Sequence, residues 1–123
     1  MHDSAGSIFV EFKLSWEDWR EYRHIEETST KALKQHQFDY LSFGAETRQF
    51  TANEFGWTYK NSSGIASHEW EELIGVAYYQ RVITLMAPCH YPLSRSAFNE
   101  AQLTILMRWL KRAMGESEDG PST

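Results

Sequence analysis

Apolar and polar residues alternate from the start of the chain. Over residues 7–14, Ile8, Val10, Phe12 and Leu14 fall on one side, with Glu11 and Lys13 on the other. A period of two predicts a half-buried strand. Ser15 then opens a helix. Its hydroxyl can cap the backbone N–H three residues on, and Asp18 stands at the reciprocal position. Glu17 and Asp18 also suit the positive end of the helix dipole. Trp16, Trp19, Tyr22 and Ile25 form the apolar stripe, and the helix is expected to end between Glu27 and Lys34.

Residues 31–45 have a mixed pattern. Phe38, Tyr40, Leu41 and Phe43 suggest a short strand or a packed linker. Beyond Glu46 the pattern is of strands: residues 48–52 and 55–59 flank a tight turn at Asn53-Glu54, and Asn61-Ser62-Ser63-Gly64 is a turn cluster. Further strands are expected over 65–67, 73–79, 82–87 and 91–93, with Pro88-Cys89-His90 as a turn. Asn99 or Ser96 caps a final helix. Leu103, Leu106, Met107, Leu110 and Met114 recur on one face of it, and Gly115 stops it. A core of Trp70, Val76, Leu85, Phe98, Leu106 and Leu110 is predicted. The fold class is α+β: an N-terminal strand–helix, a curled antiparallel sheet, and a C-terminal helix over its open end. Residues 1–114 make a single domain and 115–123 a disordered polar tail.

Composition changes this picture little. The 123 residues fit one domain. An aromatic share of 15% supplies a core at that size without staples. Cys89 is the one cysteine, so no intrachain disulfide forms, as suits a reducing compartment. No basic run followed by an apolar stretch marks a secretory leader, and no window nears the roughly 20 apolar residues of a membrane helix. A soluble, cytoplasmic chain is expected. Charge is split: residues 1–80 hold seven basic and thirteen acidic residues, whereas 81–112 hold five basic and one acidic. Without a clustered basic face, nucleic acid is not an expected partner.

One stretch carries a resemblance. Thr51-Ala52-Asn53-Glu54-Phe55-Gly56-Trp57 looks like a strand, a turn, and a strand bearing a small residue. The segment from Ser67 through Trp70 to Val76 is similar to the W-x-x-[IL]-x-x-[VI] step of the YcxB-like proteins. Residues 82–85 followed by Tyr91-Pro92-Leu93-Ser94-Arg95-Ser96-Ala97-Phe98 resemble that family's strand and I-P-x-R-x-F. The match covers roughly residues 46–112. It implies a pleckstrin-homology-like (PH-like) fold, a bent sheet of about seven strands capped by a C-terminal helix. The family's members commonly carry a transmembrane hairpin after an N-terminal strand–helix piece. Residues 31–45 stand at that place and are too short and polar for one. Membrane association would follow only from such a hairpin and is not expected of the chain as written. PH-type lipid sites use a basic loop between the first two strands. The matching loop, residues 60–64, offers one lysine, so anionic lipid is weakly supported.

Candidate chemistry is sparse. Glu21-x-x-His24 has the spacing of a helical metal pair, but one pair on two helices is short of a di-metal set and reads as a solvated helix face. His68, Cys89 and His90 are too few, and Cys89-His90 too close together, for zinc. Nothing marks an oxyanion site beside Cys89. Glu69, Glu71 and Glu72 flank an inward Trp70 and read as solvated. Arg95 suits a strand-to-helix corner, by bonding carbonyls, or a ligand contact. The residues marked for binding are therefore Arg95, Trp70, His68 and His90. No catalytic residue, metal or cofactor is expected. The expected function is a non-catalytic binding or adaptor module that meets a protein partner or forms a weak homodimer. The alternative is an enzyme or ligand binder with a cavity between helix and sheet.

Overall fold

The computed structural model of the chain describes residues 6–25 and 30–115. The chain opens with β1, Ser7–Phe12, whose alternation buries Ile8, Val10 and Phe12. Next come α1 (Trp16–Arg23) and α2 (Thr30–Asp39), the latter ending in a π-turn over Tyr40–Gly44. Strands β2 (Arg48–Asn53), β3 (Gly56–Asn61) and β4 (Gly64–Glu69) follow, then a 3-10 turn at Trp70–Glu72. Strands β5 (Gly75–Tyr78), β6 (Val82–Ala87) and β7 (Cys89–Ser94), a 3-10 turn at Arg95–Ala97, and α3 (Glu100–Ala113) complete it. The α+β class and seven antiparallel strands match the expectation. They form two sheets, ordered β1-β2-β3-β4 and β5-β6-β7, and not one curled sheet or a closed barrel. The break falls at Trp70–Glu72, where Trp70 drops into the core and donates its indole N–H to the Asn53 carbonyl at 2.7 Å.

Local chemistry sets the element ends. At the start of α1, Asp18 N donates to Ser15 Oγ (3.0 Å) and Ser15 N to Asp18 Oδ2 (3.1 Å), the expected capping box. Asn99 and Gln102 form the matching box on α3, so Asn99 and not Ser96 is the cap. Asn53 Oδ1 accepts from the N–H groups of Phe55 and Gly56, which closes the β2–β3 turn.

Five further expectations need correction. Helix α1 stops at Arg23, short of Glu27, because His24 turns left-handed (φ 58°) and its N–H bonds back to Arg20 and Glu21. Within residues 31–45, all but Ala45 are helical, neither strand nor linker. Lys31, Ala32, Leu33, Lys34 and Gln35 are good helix formers, and no glycine interrupts them before Gly44. Cys89 and His90 begin β7, since Ala87 pairs with Cys89 and only Pro88 turns. Val76 is half-buried, because β5 is an edge strand. The loop at residues 60–64 joins β3 to β4; the first two strands are joined through α1 and α2. The tail expectation for 115–123 falls almost entirely outside the described residues.

One core joins both sheets and α3. Phe50, Leu85, Leu93, Leu106 and Leu110 are fully buried, Phe98 meets Phe50 edge-on at 6.0 Å, and Trp109 lies 5.8 Å from Trp70. Trp109 belongs to this core although the expected stripe omits it. Gly44 takes a special place: a Cβ there would come within 2.6 Å of the Trp19 ring, so the π-turn can press on α1 only with glycine.

Two stability predictions follow from this packing. Phe98→Ala should cost about 3–5 kcal/mol in urea melts, and a loss below about 1 kcal/mol would place the ring outside the core. Asp18 also accepts from Ser94 Oγ (3.0 Å) and Arg81 Nε (3.1 Å). Asp18→Ala should therefore destabilise by at least about 2 kcal/mol, against about 1 kcal/mol for Ser15→Ala, which removes the cap alone. Equal losses would mean that Asp18 acts only as a cap.

Candidate functional site

Strand β4 ends the first sheet and β7 ends the second. Between these two edges lies a cleft of about 380 Å³. Ile65 and Ala66 of β4 form one wall and Cys89, His90 and Tyr91 of β7 the other. The floor holds Tyr22 from α1, Arg48 from β2 and Tyr59 from β3, and Phe43 stands at the rim. Two of the floor residues, Arg48 and Tyr59, are placed by the alternation of their strands. Arg48 opens the inward row Arg48, Phe50, Ala52, and Tyr59 shares the inward face of β3 with Trp57.

The floor is polar beneath an apolar rim. Tyr59 donates its hydroxyl to the Pro92 carbonyl at 2.7 Å, which joins the first sheet to the second. Burial pushes the Tyr59 phenol far above its ordinary pKa, against the opposing pull of the Arg48 guanidinium. Burial also raises Tyr22, with Arg23 and Arg48 opposing. Tyr91 is raised by desolvation and by the neighbouring Cys89 thiol. All three phenols are therefore neutral near pH 7 and act as hydrogen-bonding groups, not as phenolate nucleophiles. Arg48 is 5% exposed. Its Nη2 donates to the Phe43 carbonyl (2.8 Å) and meets Glu46 (3.3 Å), while Nε and Nη1 have no partner.

A second polar chain runs off Tyr91. The Glu72 carboxylate lies 2.7 Å from His68 Nδ1, and His68 Nε2 lies 3.2 Å from the Tyr91 hydroxyl. Hydrogen bonds from the His68 ring and the Glu69 backbone N–H hold the Glu72 carboxyl below the usual range. The imidazole ring stacks at 4.9 Å on Trp57, which also touches Trp70 and Tyr91. Gly56 makes room beside it, since a Cβ there would collide with the His68 carbonyl oxygen.

The structure brings two of the four sequence-marked residues together: His68 and Trp70 flank Trp57. Trp70 is a buried core residue. His90 stands apart from them, exposed on the cleft wall. Arg95 is in neither group: its Nη1 donates to the Tyr79 carbonyl at 2.9 Å, holding the β5–β6 turn. Glu21 and His24 dock α1 on that same turn, through the Arg81 N–H and the Tyr79 hydroxyl. The helix–sheet space is occupied by Leu106, Trp109 and Leu110, each at most 6% exposed. Sequence reasoning passed over Arg48, Tyr22, Tyr59 and Tyr91. The signal for Arg48 was there, a charge at the head of an inward-facing row.

Tyr59 gives a pH-dependent prediction. Its pKa is raised on folding, so the stability it lends is complete below the unfolded value of about 10 and is lost as pH rises above it. Tyr59→Phe should cost about 1–3 kcal/mol at pH 7, because the Pro92 carbonyl loses its donor. Between pH 9 and pH 11 the variant should lose less stability than the parent in urea melts. Parallel losses in the two proteins would show that another group drives the alkaline change.

Compared with models of protein families, with curated proteins and with solved structures, the chain matches none.

Proposed function

We propose that this chain is a non-catalytic binding module of PH-like architecture, akin to the YcxB-like proteins, that associates with a second copy of itself. The architectural part is supported by element order: four antiparallel strands, then three, then a C-terminal helix. Helices α1 and α2 stand between β1 and β2, where the resembled family carries its hairpin. Among the described residues no helix is long and apolar enough to cross a membrane.

The observation that carries the binding role is the apolar exposure beside the cleft. Phe43 is 60% exposed and Ile65 66%, and both line the cleft. Large apolar side chains gathered on one face of a small domain mark a contact surface. Two features favour a second copy as the occupant. The outer edge of β4 pairs with no strand among the described residues, and an open edge is a template for another chain. The acidic excess of residues 1–80 and the basic excess of 81–112 also favour contact between unlike segments of two copies. The filled helix–sheet interface supports binding over an enzyme with a cavity between helix and sheet.

Sedimentation at about 100 μM, within reach of a micromolar interface, should reveal a dimer that declines with added salt. Ile65→Asp should abolish it by placing a charge on the β4 edge. A monomer throughout at low salt overturns the self-association reading.

A further inference from the structure

We propose that the cleft between β4 and β7 is a binding site for a small organic carboxylate, held at its floor by the buried guanidinium of Arg48. This goes beyond self-association, because the site is complete within one copy of the chain.

Arg48 is the first ground. Nearly all buried polar groups have hydrogen-bond partners, and each exception calls for a physical reason. Here two nitrogens of one cation, Nε and Nη1, are buried without an acceptor. The remaining nitrogen, Nη2, serves the Phe43 carbonyl and Glu46. A guanidinium stripped of water with two donors unspent is destabilising unless an acceptor reaches it. Both nitrogens are closed to solvent in the empty cleft, but Arg48 lines it, so an acceptor from outside meets them once the guanidinium turns toward the opening. Trp57 Nε1 and Thr84 Oγ1 are likewise buried without partners, but neither lines this cleft.

Charge selects the ligand. The cleft is lined by two cations, Arg23 and Arg48, and no lysine. Glu46, at 3.3 Å from Arg48, already offsets part of that charge. A monoanion balances what remains, whereas phosphate recognition calls for more cations and a more open donor set. Size and lining select the rest of the molecule. A volume of about 380 Å³ is near the lower end for small-molecule sites, which run from roughly 300 to 1,000 Å³. Tyr22, Tyr59 and Tyr91, with Ile65 at the wall, suit an apolar or aromatic body above the carboxylate. Such a carboxylate can be a free acid or an acidic side chain from a partner.

Phenylacetate is the test probe, with benzyl alcohol and inorganic phosphate as comparison ligands, followed by amide NMR. Phenylacetate should shift the amides of Ala66, Cys89 and Tyr91 saturably. It should also slow the reaction of Cys89, the single cysteine, with a thiol reagent. Arg48→Gln should weaken binding at least about tenfold, the scale of one lost charge-assisted contact. Should that variant unfold, Glu46→Gln decides: removing the internal counter-charge should tighten phenylacetate several-fold. No saturable shift, equal binding of benzyl alcohol, stronger binding of phosphate, or unchanged affinity in Glu46→Gln would each overturn the proposal. Sedimentation with and without phenylacetate identifies the source. Loss of dimer supports an acidic side chain of the second copy, and an unchanged dimer or a monomer that still binds supports a free acid. A monomeric chain that binds phenylacetate thus defeats self-association and leaves the carboxylate site standing.

Discussion

Asp18 is a carboxylate at 4% exposure that serves three donors at once: the Ser15 N–H, the Ser94 hydroxyl and Arg81 Nε. A charge buried this far is tolerated only when its oxygens are well supplied with donors. Those donors come from the start of α1, the end of β7 and the β5–β6 turn, which no local pattern connects. Satisfying one buried group therefore fixes a helix from the N-terminal third against the second sheet. Glu21 and His24 add contacts to the same turn from farther along α1. The cleft depends on this placement, because α1 carries Tyr22 to its floor and Arg23 to its lining.

The aromatic content has a similar economy. Trp16, Trp19, Tyr22 and Tyr40 form one cluster between α1 and the π-turn, and Tyr40 donates to the Leu14 carbonyl at 3.0 Å. Trp57, His68, Trp70 and Tyr91 form another between the sheets. Edge-on and tilted ring pairs contribute beyond the area that they bury. The second cluster joins two sheets that share no ladder, and the first joins α1 to the π-turn. Arg48 is the one charged group of an otherwise apolar inward row, and its partial pairing sets the cleft floor apart from the filled core.

Much of the fold was legible along the chain. The Ser15–Asp18 box, the inward row of β1, the Asn53 turn and the stripe of α3 rest on contacts within a few residues of each other. The end of α1 was not, because it turns on the left-handed backbone of His24, a conformation its side chain does not demand. Residues 31–45 misled for a related reason. Phe38, Leu41 and Phe43 resemble a strand's apolar set, yet they are exposed, and helix propensity together with the docking of Tyr40 governs the segment.

The candidate site divides in the same way. Alternation alone put Arg48 on the inward face of β2 and Tyr59 on that of β3, and the composition alone made Cys89 a lone thiol. Only the tertiary structure brought Arg48, Tyr59 and Tyr22 to one floor and Tyr91 to the wall beside it, since they come from β2, β3, α1 and β7. It also decided that the seven strands split into two sheets whose free edges face across a gap. Periodicity reports which side of an element turns inward. It carries no information about which inward sides meet, because that is set by long-range packing and by the need of buried groups such as Asp18 and Arg48 for partners.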